Sequence, residues 1–328
     1  MSERTTVTQV TNIGVESTSG TAVTCDKRLQ ALSIAPSINP EVAMFGPAGE
    51  KFSTVQALNA EWVTAQLSGQ PTFTEIVYPL SSAMSAAAIT TPGGGTDARE
   101  WAFEIDPTAL STPETFTVES GDSVRAHRFA YGIVDSLNLE FSRRNGVSLG
   151  GSMLAQAIDD GVTLESSPTA IDLVPVLGSQ LDVYVDDASG DLGTTKLTRN
   201  FRARLNIGNR FGAIWPMDSS KGSFAATVEL KPTVTLELQV EADSDGMGFL
   251  STMRTGATKF VRIAAVGAEI ETDQDYEMRF DFAGKVSGAG NFEDADGVWA
   301  MNWTFDAVHD ADWGAALQAL VRNDLTAL

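Results

Sequence analysis

The chain reads as mainly β, a sandwich or barrel-like fold with a few short flanking helices. Three observations carry that reading. Stretches that alternate apolar and polar residues outnumber those with the 3.6-residue period of a helix. Threonine and valine, which suit a pleated and half-buried surface, are frequent. Helical spacing is confined to three short segments.

Taken in order, residues 28–34 read as extended, with Leu32 and Ile34 on one face. Residues 79–88, with Leu80 and Met84 among small residues, read as a short helix. Residues 90–97, where Pro92 precedes three glycines, read as a loop tip. A phosphate cradle would need lysine and then serine or threonine after the glycines, and Thr96, Asp97 and Ala98 stand there instead. Residues 137–141 alternate like a half-buried strand, and residues 152–158 stay open between strand and helix. Residues 201–207 place Phe201, Ala203, Leu205 and Ile207 inward, with Arg202, Arg204 and Asn206 outward. Residues 228–240 form the longest alternating stretch, interrupted at Pro232 by an edge or a bulge. A second short helix is expected over 246–254 and strands over 276–282 and 298–305. Residues 310–321, with Trp313, Leu317, Leu320 and Val321 at helical spacing, predict a third helix.

The pattern recurs. Gly20-Thr21 followed by Leu32 and Ile34 returns as Gly193-Thr194 followed by Leu205 and Ile207. Each copy then reaches an aromatic-proline turn, Phe45-Gly46-Pro47 and Trp215-Pro216, and later a helix-like piece at residues 80–84 and 250–253. Each ends near a basic turn, at Arg143-Arg144-Asn145-Gly146 and at Gly284-Lys285. The expected units are residues 1–172, with a loop insertion near 85–123, and residues 173–328.

Composition narrows function. The 43 acidic and 22 basic residues give a net charge of −21, which argues against sequence-independent binding of duplex DNA through phosphate neutralisation. No apolar run reaches the roughly 18 residues of a membrane helix, and the opening residues carry no apolar stretch like a secretory signal. A single cysteine, Cys25, excludes an internal disulfide and multi-cysteine metal sites. Residues 241–246 imitate the start of a calcium loop, but Thr252 stands where the bidentate glutamate belongs, so an Asp-Gly turn before a helix is expected. Gly146-Val147-Ser148-Leu149-Gly150 matches the nucleophile-elbow pattern, yet no alternation of strands and helices surrounds it. The two histidines, His127 and His309, are not at metal-ligand spacing. No catalytic residue, cofactor or metal is expected, and the chain is not read as an enzyme.

Several weak motifs in order resemble the tail tube proteins of long-tailed bacteriophages. These are Gly14-Val15-Glu16-Ser17, Ser19-Gly20-Thr21-Ala22-Val23, Arg28-Leu29, Glu61-Trp62 and Val77-Tyr78-Pro79-Leu80. Thr115-Phe116-Thr117-Val118-Glu119, Leu192-Gly193-Thr194-Thr195-Lys196-Leu197, residues 276–285 and Asp296-Gly297-Val298 continue the series. The resemblance covers nearly the whole chain and implies a structural virion protein, made in the host cytoplasm and found in the phage tail. It implies a β-sandwich or barrel-like tube fold, with two tandem tube domains. The implied partner is the chain itself, in a ring of three chains with pseudo-sixfold symmetry or a six-chain ring, stacked into a conduit through which DNA passes without specific binding. Other tail proteins are implied at the tube ends, and no membrane.

For such a tube, the turns carrying Gly46, Pro47, Ala48 and Gly49, and Pro216, Met217, Asp218 and Ser219, are expected to reach the adjacent ring. Glu140, Glu229, Glu237, Glu277 and Asp281 are expected to line the channel and repel phosphate. Two other classes stand beside this one: a secreted or surface β-sandwich adhesin that binds calcium through its acidic turns, and a hydrolase acting through Ser148.

Overall fold

Alternation in the sequence becomes alternation in burial wherever one face of a strand meets the core. A computed structural model describes residues 6–122 and 124–328. The first half contains β1 (Val10–Val15), β2 (Lys27–Leu29), β3 (Leu32–Phe45), β4 (Val55–Gly69), helix α1 (Val77–Ala83), β5 (Ala88–Thr90) and β6 (Arg99–Glu104). It continues with β7 (Phe116–Gly121), β8 (Ala126–Ser142), β9 (Gly146–Ala155), β10 (Ile158–Val162) and β11 (Thr169–Ala170). The second half contains β12 (Leu181–Asp186), β13 (Asn200–Gly208), β14 (Phe211–Ile214), β15 (Ala226–Glu229), β16 (Thr233–Glu241) and helix α2 (Ser244–Thr255). Then come β17 (Thr258–Glu271), β18 (Gln274–Ala295), β19 (Val298–Ala307) and β20 (Leu317–Asn323).

One antiparallel sheet runs through both halves in the order β3, β4, β9, β8, β13, β16, β19, β18. It is open, with β3 at one end and the C-terminal part of β18 at the other. The long strands β8 and β18 extend beyond it. The N-terminal part of β8 pairs with β7 and β10, and β7 pairs with β1. The N-terminal part of β18 pairs with β17 and β20, and those pair with β12 and β6. Apolar side chains from the main sheet and from both extensions form one buried cluster. Phe141 of the main sheet meets Phe280 of the β18 extension edge-on, with ring centroids 5.7 Å apart.

The pairing plan occurs twice. In the first half β1 pairs with β7, β3 with β4, β4 with β9, β7 with β8 and β8 with β9. In the second, β12 pairs with β17, β13 with β16, β16 with β19, β17 with β18 and β18 with β19. A helix follows the third strand of each set, β4 or β16, and each packs on the long strand, α1 on β8 and α2 on β18. Outside this plan in the first half, β2 pairs with β1 and β11, β5 pairs with β6, and β6 adds itself to β20.

Four expectations are corrected. Residues 310–321 are a turn and then β20, not a helix. Leu317, Ala319, Val321 and Asn323 are buried in alternation, because β18 and β6 hold the strand on both sides. Pairing from distant strands overrides a spacing that fits both periods. Residues 28–34 are two strands, broken where the N–H groups of Gln30, Ala31 and Leu32 all turn to the buried Glu75 carboxylate. The stretch 228–240 is likewise split at residues 230–232, around Pro232. Gly284 and Lys285 lie inside β18, so the turn that corresponds to residues 143–145 is Asp296-Gly297.

The Gly-Thr pairs found in the sequence have a physical basis. After β1, the buried Glu16 carboxylate accepts the N–H of Gly20 at 2.7 Å, the N–H of Tyr131 at 2.8 Å and the hydroxyls of Thr115 and Thr117 at 2.9 Å. At the end of β12, Asp186 accepts the N–H of Gly193 at 2.9 Å and of Thr195 at 3.0 Å, and the Thr194 hydroxyl at 2.9 Å. Gly20 and Gly193 have φ of 80° and 87°, a conformation that favours glycine. Burial pushes the Asp186 carboxyl up, but hydrogen bonds from Thr195, Thr194 and Gly193 outweigh it and hold the carboxyl below the usual aspartate range. A carboxyl depressed in the folded state adds stability above its unfolded pKa and loses it as pH falls through the folded value. Asp186→Asn is therefore expected to cost about 1–3 kcal/mol at neutral pH in urea unfolding. The gap to the parent protein should begin to narrow below about pH 4, where the unfolded chain takes up the proton, and close as pH falls through the lower folded value.

Candidate functional site

Each half projects an arm from the main sheet. The first is the outer part of the β3–β4 hairpin, where the Thr54 N–H meets the Phe45 carbonyl at 2.9 Å. Gly46, Pro47, Ala48 and Gly49 form its exposed tip, and Gly49 takes a φ of 88° there. The second is the β14–β15 hairpin, whose exposed tip carries Pro216, Met217, Asp218 and Ser219. Asp218 closes that turn by accepting the N–H of Ser220 at 2.9 Å.

The two arms are equivalent in plan and unequal in surroundings. The second lies across the first half of the chain. Trp215 meets Trp62 edge-on at 5.4 Å, and Phe224 meets Tyr131 at 5.2 Å. The Glu61 N–H bonds the Gly222 carbonyl at 2.9 Å, and the Gln156 side chain bonds the Phe224 carbonyl at 2.9 Å. The first arm has no such cover among the described residues. Phe45 is 59% exposed, Phe52 81% and Leu58 60%. A cluster of this kind on a monomer surface marks an interaction site.

The uncovered face of the main sheet is mostly neutral and polar, with Ser68, Asn138, Ser148, Thr235 and Asn302 on it. Charges stand on it too: Glu140, Arg204 and Glu237 at paired positions, Arg202 and Glu241 beside them, and Lys285, Asp306 and Glu293 toward β18. Arg204 reaches Glu140 at 2.6 Å and Glu237 at 3.8 Å. The structure thus brings Glu140 and Glu237 together around a cation. Glu277 and Asp281 lie elsewhere, on the β18 extension, and share Arg279 at 3.3 Å each. Asp281 is 6% exposed and also holds Arg262 at 2.6 Å. Glu229 is apart from both groups. It binds the fully buried Arg210 at 3.1 Å and the Ser111 hydroxyl at 2.7 Å.

Arg204, Arg210, Arg262 and Arg279 are the residues the sequence reading overlooked as partners. Arg204 and Arg279 left a signal, as outward positions in alternating stretches. Arg210 ties distant segments together by donating to the Ala83 carbonyl at 2.6 Å and the Ser111 hydroxyl at 2.9 Å.

The motifs with chemical associations have structural roles. Asp243 caps α2, accepting the N–H groups of Asp245 at 3.0 Å and Gly246 at 2.9 Å. Gly146 opens β9 after a hairpin turn, so Ser148 sits in a strand beside Glu140 and not at a strand-to-helix elbow. Among the described residues no group of three or more His, Cys, Asp or Glu side chains could hold a metal ion, and no helix is long and apolar enough to cross a membrane. No protein-family model matches the chain, and no curated protein matches it either.

Trp215 is the contact that fastens the second arm, so its removal tests the arm's docking. Trp215→Ala is expected to speed hydrogen exchange at the Glu61 amide by freeing the 215–225 tip, while global stability falls by only about 1–2 kcal/mol. Unchanged protection at Glu61 would mean that the arm is held by its other contacts.

Proposed function

We propose that this chain is a structural subunit of a bacteriophage tail tube, which assembles into rings that stack into a conduit for DNA. The observation that carries the reading is the recurrence of one strand-pairing plan in two halves joined edge to edge in a single sheet. Two fused units per chain suit a ring of three chains with pseudo-sixfold symmetry. In this reading the uncovered face of the main sheet lines the channel, in the virion, with other tail proteins at the tube ends.

The chemistry of that face supports the assignment. On this wall of hydroxyls and amides the carboxylates Glu140, Glu237, Glu241, Glu293 and Asp306 outnumber the cations Arg202, Arg204 and Lys285. With Arg204 held between Glu140 and Glu237, the wall offers no run of cations to phosphate. Without such a run there is little counterion release, and DNA can move along the wall without adhering. The net charge of −21 adds a general repulsion of polyanions. The exposed arm tips provide the reach from one ring to the next.

Negative-stain microscopy of the purified chain, concentrated at physiological salt, tests the proposal. Hollow rings or tubes are expected, and particles that stay globular and monomeric at every concentration would contradict it. Deleting Ala48-Gly49 should leave a folded protein that forms rings but no long tubes. Tubes of unchanged length after that deletion would remove the first arm from the stacking contact.

A further inference from the structure

We propose that the chain binds a second copy of itself through two strand edges that its internal repeat leaves open. The free edge of β3, over residues 32–36, lies antiparallel to the free edge of β18, over residues 286–292 of the next copy. This rests on the ring reading above and specifies its chain-to-chain contact.

The argument starts from a contact inside the chain. The two halves meet where β13 pairs with β8, from Arg202 opposite Ser142 to Ile207 opposite Leu137. In the repeated plan β13 corresponds to β3, and β8 corresponds to β18. The partners that meet at the internal seam therefore have counterparts at the two ends of the sheet. Among the described residues β3 pairs with β4 alone, and β18 beyond Lys285 pairs with β19 alone. Unpaired strand edges are templates for another strand.

Register follows from the pairing. Val15 and Asp186 end β1 and β12 and pair with Phe116 and Phe260, the matching positions of β7 and β17, and counting from them sets Leu32 against Ala203 and Ile34 against Leu205. Across the first half, Ile34 aligns with Leu67, Gly151 and Leu137; across the second, Leu205 aligns with Leu236, Phe305 and Val286. The next inward positions equate Leu139 with Ala289 and Phe141 with Phe292, the latter by way of Val147 and Met301. Carrying the internal seam over on these equivalences places Ile34 opposite Ala289, and Ala35 opposite Gly288, of the next copy.

Burial supplies an independent observation. Phe141 and Leu139, at the internal seam, are 3% and 0% exposed. Their counterparts have a strand on the β19 side alone, and Phe292 is 49% exposed while Ala289 is exposed as well. Phe292 repeats the aromatic of the internal seam at the position where a following unit would cover it. The ends of the proposed seam are marked too. The Glu75 carboxylate already takes the Leu32 N–H, and Pro36 has no N–H to give. The polar pairs of the internal seam, Arg204 with Glu140 and Asn138 with Asn206, have no equals at Ser33 and Ala35. The outer seam thus relies on backbone pairing and the cover of Phe292. Repeating one rotation at every seam, within chains and between them, closes a ring when that rotation divides a full turn.

A paired-cysteine experiment tests the register. Ala35 is exposed, and a Cβ at Gly288 would come no closer than 3.5 Å to any neighbour, so Ala35→Cys and Gly288→Cys both fit the monomer. The native Cys25 is buried and stays out of the reaction. Oxidising the double variant should give disulfide-linked multimers on non-reducing gels, with either single variant giving none. The pair Asn138→Cys and Asn206→Cys, at the internal seam, should link within each chain instead. As a second readout, Phe292→Arg should leave the unfolding midpoint of the monomer within about 2–4 °C of the parent and abolish assembly. Rings that form normally yet never cross-link at 35 and 288, or that persist with Phe292→Arg, would overturn the seam and leave the ring reading standing. A parent chain that never assembles would overturn both.

Discussion

The pairing of β13 with β8 is the contact on which the rest of the structure depends. Each strand edge presents a row of amides and carbonyls that must find partners or face water. By joining the last strand of one unit to the first strand of the next, this contact turns two separate sheets into one. It also brings Arg204 between Glu140 and Glu237, from three different strands. The single core follows, since inward residues of both units, such as Leu139 and Leu205, meet across the same line.

Much of the fold was legible because burial on one side of a strand leaves a period of two. Residues 201–207, 276–282 and 298–305 carry that signature and are strands. Asp243 announced α2 through the acidic turn before it. The failures share a cause. Residues 310–321 fit a helix locally, and only the flanking strands β18 and β6, distant in sequence, make the end of that stretch a strand. The break at Gln30 depends on Glu75, which no local pattern connects with it. Long-range partners are what a single sequence hides.

The repeat shows the same division. Gly20-Thr21 and Gly193-Thr194 were visible as a pair because a buried carboxylate at each place demands N–H and hydroxyl donors in a tight turn. The residue-by-residue alignment is less definite: matched at the Gly-Thr pairs Leu32 falls against Leu205, and counted from the ends of β1 and β12 it falls against Ala203. Identity of residue type is a poor guide to register when the inward face accepts any apolar side chain. The exposed tips at residues 46–49 and 216–219 were found from turn chemistry. The inequality of the arms was not, because it arises from Trp62 and Tyr131 beneath the second one. Arg210 and Arg262 were missed for a related reason, as their carboxylate partners Glu229 and Asp281 come from other strands.

In the proposed tube each chain supplies two equivalent units to a common ring. The mass of that ring is the most direct measure of the claim. Native mass spectrometry of rings released from the assembled tube is predicted to give three copies of the 34.8 kDa chain. A ring of six chains would contradict it, because each chain would then occupy one place and its second half could not be a second wall unit.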